Sequence, residues 1–133
     1  MLEAKDVMTE KVISVTEDTP IYDAVEILVE NNISGIPVIT DDRTLVGILT
    51  EKDVLSLFYD NEGDENLTVR DFMTPHTVFF EANEKLINVC DYLLNNYFRR
   101  VPVVADGKLV GIISRRDIIK HTLKKNREKH CVA

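Results

Sequence analysis

The stretch Leu45-Val46-Gly47-Ile48-Leu49-Thr50-Glu51-Lys52-Asp53 returns later in the chain as Leu109-Val110-Gly111-Ile112-Ile113-Ser114-Arg115-Arg116-Asp117, and this doubling decides how the fold is read. Working outward, Ile36-Pro37-Val38 returns as Val101-Pro102-Val103, and Asp6-Val7-Met8-Thr9 as Asp71-Phe72-Met73-Thr74. The one-residue slip in the offset falls in a turn, where Thr40-Asp41-Asp42-Arg43-Thr44 faces the shorter Ala105-Asp106-Gly107-Lys108. Three matching stretches in order at a nearly constant offset are the mark of an internal repeat. The copies are assigned to residues 1–58 and 69–125. An acidic connector at 59–68 lies between them and a basic tail at 126–133 follows.

Each copy predicts the same elements. Ile21, Ala24, Val25, Leu28 and Val29 recur at helical spacing, as do Leu86, Val89, Cys90, Leu93 and Leu94, so each set forms one apolar helix face. Pro20 is expected in the first turn of that helix. Two short apolar runs around the turn read as a hairpin, and a second helix starts near Glu51 or Arg115. Each unit is therefore strand–helix–strand–strand–helix, an α+β mixture. Two such units are expected to bury their sheet faces together, related by a pseudo-two-fold axis.

Composition narrows the function classes. The chain has 133 residues, 44% of them apolar, and a net charge of −7. Residues 1–65 hold 16 acids and 4 bases, whereas residues 66–133 hold 7 acids and 12 bases. Nucleic acid is not expected as a partner, because phosphate neutralisation supplies most non-specific affinity. No apolar run reaches the length of a membrane span. Cys90 and Cys131 form no disulfide framework, and the start of the chain shows no secretory pattern, so a cytoplasmic location is expected. No nucleophile–base set, phosphate loop or metal-ligand spacing is present, so neither an enzyme nor a metal site is expected. His121 and His130 stand in the basic tail without a ligand partner, Cys90 is placed on an apolar face, and Cys131 has no assigned role.

The runs Ile33-Ser34-Gly35-Ile36-Pro37-Val38-Ile39 and Leu45 to Val54, with their second copies, resemble the repeat named for cystathionine β-synthase, the CBS domain. The resemblance covers residues 5–122. Two copies in tandem resemble the Bateman module and imply a stand-alone regulatory protein. The resemblance implies an adenosine-containing ligand, AMP, ADP or ATP with S-adenosylmethionine as a further possibility. It also implies a homodimer and a regulated protein partner that the sequence does not name. The other reading is a ligand-free CBS module that only dimerises or docks a partner.

Thr50 and Ser114 sit where a strand runs into a helix, with Asp53 and Asp117 three residues on. That spacing is a capping-box variant. It also leaves a hydroxyl and a carboxylate able to accept a ribose beside a helix N-terminus suited to an anion. The resemblance assigns these Asp residues to ribose and the Ser or Thr to ribose or phosphate. It groups Met8, Ile13, Ile33, Ser34, Gly35 and Pro37 with Ser114, Arg116 and Asp117 as site A. Site B groups Met73, His76, Val78, Phe98, Arg99, Arg100 and Pro102 with Thr50, Lys52 and Asp53. Ser34-Gly35 reads either as a helix-to-strand turn or as a close approach for a flat base. Arg99-Arg100 reads either as a solvated pair offsetting a helix dipole or as a phosphate contact. Site A is expected to bind more tightly.

Overall fold

The computed structural model describes residues 1–59 and 66–130; most of the expected acidic connector, and Cys131, lie outside them. The chain forms two compact units, and neither is built from one repeat alone. Unit 1 takes Met1–Val12, Val78–Asp106 and Val110–Ala133; unit 2 takes Ile13–Thr77 and Gly107–Leu109. Each repeat thus gives its opening segment to the body of the other.

In unit 2, α1 (Ile21–Glu30) packs on a three-stranded antiparallel sheet of β1 (Gly35–Ile39), β2 (Leu45–Thr50) and β3 (Thr74–Pro75), in that order. The helix buries Ile21, Ala24 and Leu28 against Ile36, Val38 and Leu49, as the 3.6-residue spacing requires. Pro20 sits at the N-cap, one position before the helix, with φ −55°. Its ring fixes a φ suited to the entry and its missing N–H costs nothing there. Past the helix, Asn31 donates its amide to the Ile27 carbonyl at 2.9 Å, and Asn32 turns the chain with φ 52°, a conformation Asn tolerates. The expected opening strand of this copy is reduced to one parallel bridge, Val15 to Val38.

Unit 1 repeats the plan with α3 (Leu86–Asn95) on a sheet of β4 (Phe80–Glu81), β5 (Arg100–Ala105) and β6 (Lys108–Ser114). Its core is Ala4, Leu86, Val89, Leu93, Val101, Val103 and Ile113. β4 runs parallel to β5 through Phe80 and Val103, the counterparts of Val15 and Val38.

The exchanged segments make equivalent contacts. Ala4 is fully buried in the unit 1 core and Val69 in that of unit 2. The Ala4 N–H donates to Glu84 at 2.8 Å and that of Val69 to Thr19 at 2.9 Å. Burying a side chain the size of Val69 contributes about 1.5–3 kcal/mol. Backbone pairing then carries each segment on to the end of the hairpin. Thr9 exchanges two hydrogen bonds with Ile112, at 2.8 and 3.0 Å, and Thr74 pairs with Ile48 in β3.

The second helices differ. α2 (Glu51–Val54) is one α turn that tightens into a 3-10 turn over Leu55–Phe58, whereas α4 (Arg115–His130) runs for 16 residues. The segment read as a basic tail is therefore helical through His130, and His121 is half-buried on that helix. Cys90 is half-buried rather than fully enclosed. Among the described residues no helix is long and apolar enough to cross a membrane, and no cluster of three or more His, Cys, Asp or Glu could hold a metal.

Candidate functional site

Both strand-to-helix junctions form the expected cap. In unit 2 the Thr50 N–H donates to Asp53 Oδ2 at 2.8 Å, and the Asp53 N–H donates to Thr50 Oγ1 at 3.2 Å. In unit 1 the Ser114 N–H donates to Asp117 Oδ2 at 2.8 Å and the Ser114 hydroxyl adds a bond to the same oxygen at 2.9 Å. The Asp117 N–H returns to Ser114 Oγ at 3.1 Å. The cap exists because first-turn N–H groups have no partner inside the helix. It fixes Oδ2 of each aspartate and leaves Oδ1 to other donors.

In both units that donor is a threonine from the exchanged segment. Thr9 Oγ1 donates to Asp117 Oδ1 at 3.2 Å. Thr74 Oγ1 donates to Asp53 Oδ1 at 3.2 Å and reaches Oδ2 at 3.4 Å. Neither threonine stood among the residues chosen from sequence. Their place in the recurring Met-Thr pair was the available signal, since Met8 and Met73 were already grouped with these aspartates of the other repeat.

Met8 and Met73 arrive on the same segments and cover the strand glycines. A Cβ on Gly111 would lie 2.4 Å from Met8 Sδ, and one on Gly47 would lie 2.6 Å from the Thr74 carbonyl oxygen and 3.5 Å from Met73 Cε. The glycines are thus required by close approach of the strap, not by turn geometry.

The remaining chosen residues divide between the units. Unit 2 holds Ile13, Ile33, Ser34, Gly35 and Pro37 with Thr50, Lys52, Asp53, Met73 and His76; unit 1 holds Met8, Val78, Phe98, Arg99, Arg100 and Pro102 with Ser114, Arg116 and Asp117. Gly35, Pro37 and Pro102 are buried. Ile33 and Ser34 are half-buried, and Ile13, Val78 and Phe98 expose about half of their surface. His76 is exposed at a left-handed turn position with φ 56°. Within each unit the loop before the hairpin is tied to the cap that ends it. The Glu51 N–H donates to the Ser34 carbonyl at 3.0 Å, and the Arg115 N–H donates to that of Arg99 at 2.9 Å.

The cations have unequal freedom. Arg115 donates Nε to the Leu93 carbonyl at 3.1 Å and Nη2 to that of Asn96 at 2.6 Å, so it closes the C-terminus of α3. Arg115 takes up orphan carbonyls at the end of α3 directly, beside the dipole-offsetting role weighed for Arg99-Arg100. Arg116, Lys52 and Arg99 are exposed, while Arg100 is half-buried with its Nε enclosed and without a hydrogen-bond partner. By charge count, unit 1 holds 12 bases and 9 acids, a balance of +3; unit 2 holds 4 bases and 14 acids, a balance of −10. On α1 the acids crowd one another: a hydrogen bond shared with Glu30, together with the charge of Glu30, pushes Glu26 above its ordinary value.

Comparison with known proteins agrees with this architecture. Residues 4–60 and 69–124 each match the CBS domain. The uncharacterized protein MJ1225 of Methanocaldococcus jannaschii is 36% identical over 87% of the chain, and the chloroplastic CBS domain-containing protein CBSX2 of Arabidopsis thaliana is 34% identical over 86%. The chain spans 41% of the first relative's length and 60% of the second's. The crystal structure of CBSX2 in complex with AMP superimposes with a TM-score of 0.84, covering 95% of this chain and 99% of that one at 34% identity. The CBS domain pair of protein MJ0100, crystallised with 5'-methylthioadenosine and S-adenosyl-L-methionine, gives a TM-score of 0.76 at 26% identity, covering 94% of this chain and 98% of that one. With the repeat, the exchanged straps and the paired caps all accounted for, the chain belongs to the CBS domain family and carries two CBS domains in tandem.

Proposed function

We propose that this CBS pair is a regulatory module without catalytic activity that binds an adenosine-containing ligand, AMP, ADP or ATP, with S-adenosylmethionine as a further candidate. The observation that carries this reading is the aspartate at each junction. Its Oδ2 is held by the helix cap, and among the described residues its Oδ1 receives a threonine hydroxyl alone. A carboxylate oxygen has two acceptor positions, so each Oδ1 retains room for a ligand hydroxyl. The AMP bound to CBSX2 and the adenosyl compounds bound to MJ0100 support the ligand class. We assign Asp117, Ser114, Arg116 and Met8 in unit 1, and Asp53, Thr50, Lys52 and Met73 in unit 2, to ligand contact.

The test is thermal unfolding of the purified chain with each of the four compounds. A ligand that binds only the folded state adds about 2.7 kcal/mol at 100 times its dissociation constant. A clear rise in melting temperature with at least one of them is expected. No rise with any of the four at millimolar concentration overturns the ligand assignment.

One observation favours a docking role alongside binding. Of the wide apolar stripe on α1, Ile21, Ala24 and Leu28 go into the core and Val25 and Ile27 are half-buried, but Tyr22 and Val29 remain outside. Leu55, Phe58 and Tyr59 in unit 2, and Leu94 and Ile119 in unit 1, are exposed as well. Apolar surface of this kind is covered economically by a second copy. We therefore assign the chain to a homodimer in a cytoplasmic setting that passes its ligand state to a separate protein. A monodisperse monomer in sedimentation at tens of micromolar contradicts the dimer.

A further inference from the structure

Two exposed helix faces carry the same apolar pattern and opposite charge. In unit 2, Tyr22, Glu26 and Val29 follow at i, i+4 and i+7 on α1, so they share one face, and Glu30 lies beside them. All four are exposed. No base stands on this helix; Glu26 is crowded by Glu30 and also feels the charge of Asp23. In unit 1, Ile119, Leu123 and Arg127 follow at i, i+4 and i+8 on α4, with Lys120 and Lys124 alongside, all of them exposed. Where α4 meets α3 a cavity of about 280 Å³ opens, lined by Cys90, Leu93, Leu94, Arg115, Ile118 and Ile119. Leu94 and Ile119 line it while leaving 77% and 65% of their own surface exposed. Charge decides what can cover these faces. Like against like sets Glu26 and Glu30 against their own copies, or Lys120 and Lys124 against theirs, and such juxtaposition disfavours the contact. With a balance of −10 on unit 2 and +3 on unit 1, unlike faces attract. A foreign partner covering α1 would have to be basic, and one covering α4 acidic; a second copy of this chain supplies both.

We propose that copies of this chain associate through unlike faces, the acidic, apolar face of α1 in one copy docking on the basic, apolar α3–α4 face of another. This rests on the self-association assigned above and goes beyond it by fixing which faces meet. In a two-fold pair such a contact is made twice, since residue i meeting j implies j meeting i. The apolar side chains supply the burial, and the flanking charges reject the like-to-like arrangement.

The experiment is analytical sedimentation of the purified full chain over a range of concentrations, at low and high salt. It compares the wild type, Glu26→Lys with Glu30→Lys, Lys120→Glu with Lys124→Glu, and the chain carrying all four changes, with melting temperature recorded for each. The four positions are exposed, so the fold is expected to survive. Each double variant should weaken self-association about 10-fold, because attraction across the contact becomes repulsion. The chain with all four changes restores opposite charges and should regain the wild-type constant. High salt should weaken the wild-type association, since screening removes the attraction. This last reading needs no variant and stands even if a charge reversal unfolds the chain. Double variants that associate as the wild type does, four changes that stay as weak as two, or wild-type association that strengthens with salt overturn the unlike pairing and leave the homodimer standing. A wild type that stays monomeric overturns both.

Discussion

The two units close the exposed carbonyls at the end of their first helix with one shared local device, and only unit 1 adds a distant one. At the end of α1 the solution is local: Asn31 folds back on Ile27 and Asn32 adopts the left-handed conformation. At the end of α3 the same local device recurs, with Asn96 donating its amide to Tyr92 at 2.9 Å and Asn95 to Asp91 at 2.8 Å, and a distant one is added: Arg115, on the following helix, reaches Leu93 and Asn96. The position of Arg115 in the first copy is Glu51, an acceptor that cannot do this. The same divergence continues along the second helices. After Asp53 the chain reads Val-Leu-Ser-Leu-Phe-Tyr and leaves α geometry after one turn; after Asp117 it carries Lys120, Lys124, Lys125 and Arg127 and continues to His130. Lys and Arg are strong helix formers, and the bases in the last turn of α4 favour its dipole. A shared cap thus begins two helices of different length and charge, and duplication of a motif does not duplicate its electrostatics.

The largest expected break in this comparison is in ligand affinity. Unit 1 carries the positive balance and the long helix behind its cap. Asp117→Ala should therefore weaken adenine-nucleotide binding more than Asp53→Ala, by about 1.5–3 kcal/mol for the charged acceptor lost. Calorimetry on both folded variants decides it, and an equal or reversed loss removes the ranking of the units.

The strand glycines come next. Alanine at Gly47 meets a backbone carbonyl, which cannot move without disturbing β3; alanine at Gly111 meets Met8 from Sδ back to Cβ, side-chain atoms that shift with a change of rotamer. Gly47→Ala should cost about 1–3 kcal/mol in denaturant unfolding, the range for overpacking, and Gly111→Ala less. If Gly111→Ala proves the more damaging, the methionine contact is the stiffer one.

Arg115→Ala should lower stability by about 1 kcal/mol through the lost α3 carbonyl bonds. Glu51→Ala at the matching position should stay within about 0.5 kcal/mol of wild type. Equal effects would mean that the remote cap contributes nothing beyond surface charge.

The smallest effect belongs to the hairpin turns. Asp42 accepts from the Thr40 and Thr44 hydroxyls and from Lys108, which holds its carboxyl below the usual carboxylate range. A lowered folded-state pKa stabilises the fold above the unfolded value of about 3.9 and loses that contribution as pH falls below it. The melting-temperature gap between wild type and Asp42→Asn should be full at neutral pH and shrink on acidification below about pH 4. A gap that persists at low pH would assign the effect to side-chain shape.

Much of this molecule was legible because its signals are local. The spacing of Ile21, Ala24 and Leu28 and of Leu86, Val89 and Leu93 named the helix faces, and all six residues are buried; Val25 and Cys90, read on the same faces, are half-buried, and Val29 and Leu94 are exposed. Thr50–Asp53 and Ser114–Asp117 named their own caps, since a capping box is closed within four residues. Other features were not legible for the opposite reason. The extent of the opening strands was one: a strand was expected in each copy, but with almost no periodicity to bound it, one is a single bridge at Val15 and the other two residues at Phe80–Glu81.

Sequence by itself determined the repeat, the apolar faces and the two aspartates, because each follows from residue type at fixed short separation. Tertiary structure decided which partners meet. It brought Thr9 to Asp117, 108 positions away, and Thr74 to Asp53, 21 away. It spent Arg115 on α3 and set Met8 and Met73 over glycines of the other repeat's hairpin. These contacts follow from burying Ala4 and Val69 in cores whose helix and hairpin come from the other repeat. The free energy of that burial is non-directional and depends on the assembled surface, so no local pattern announces it.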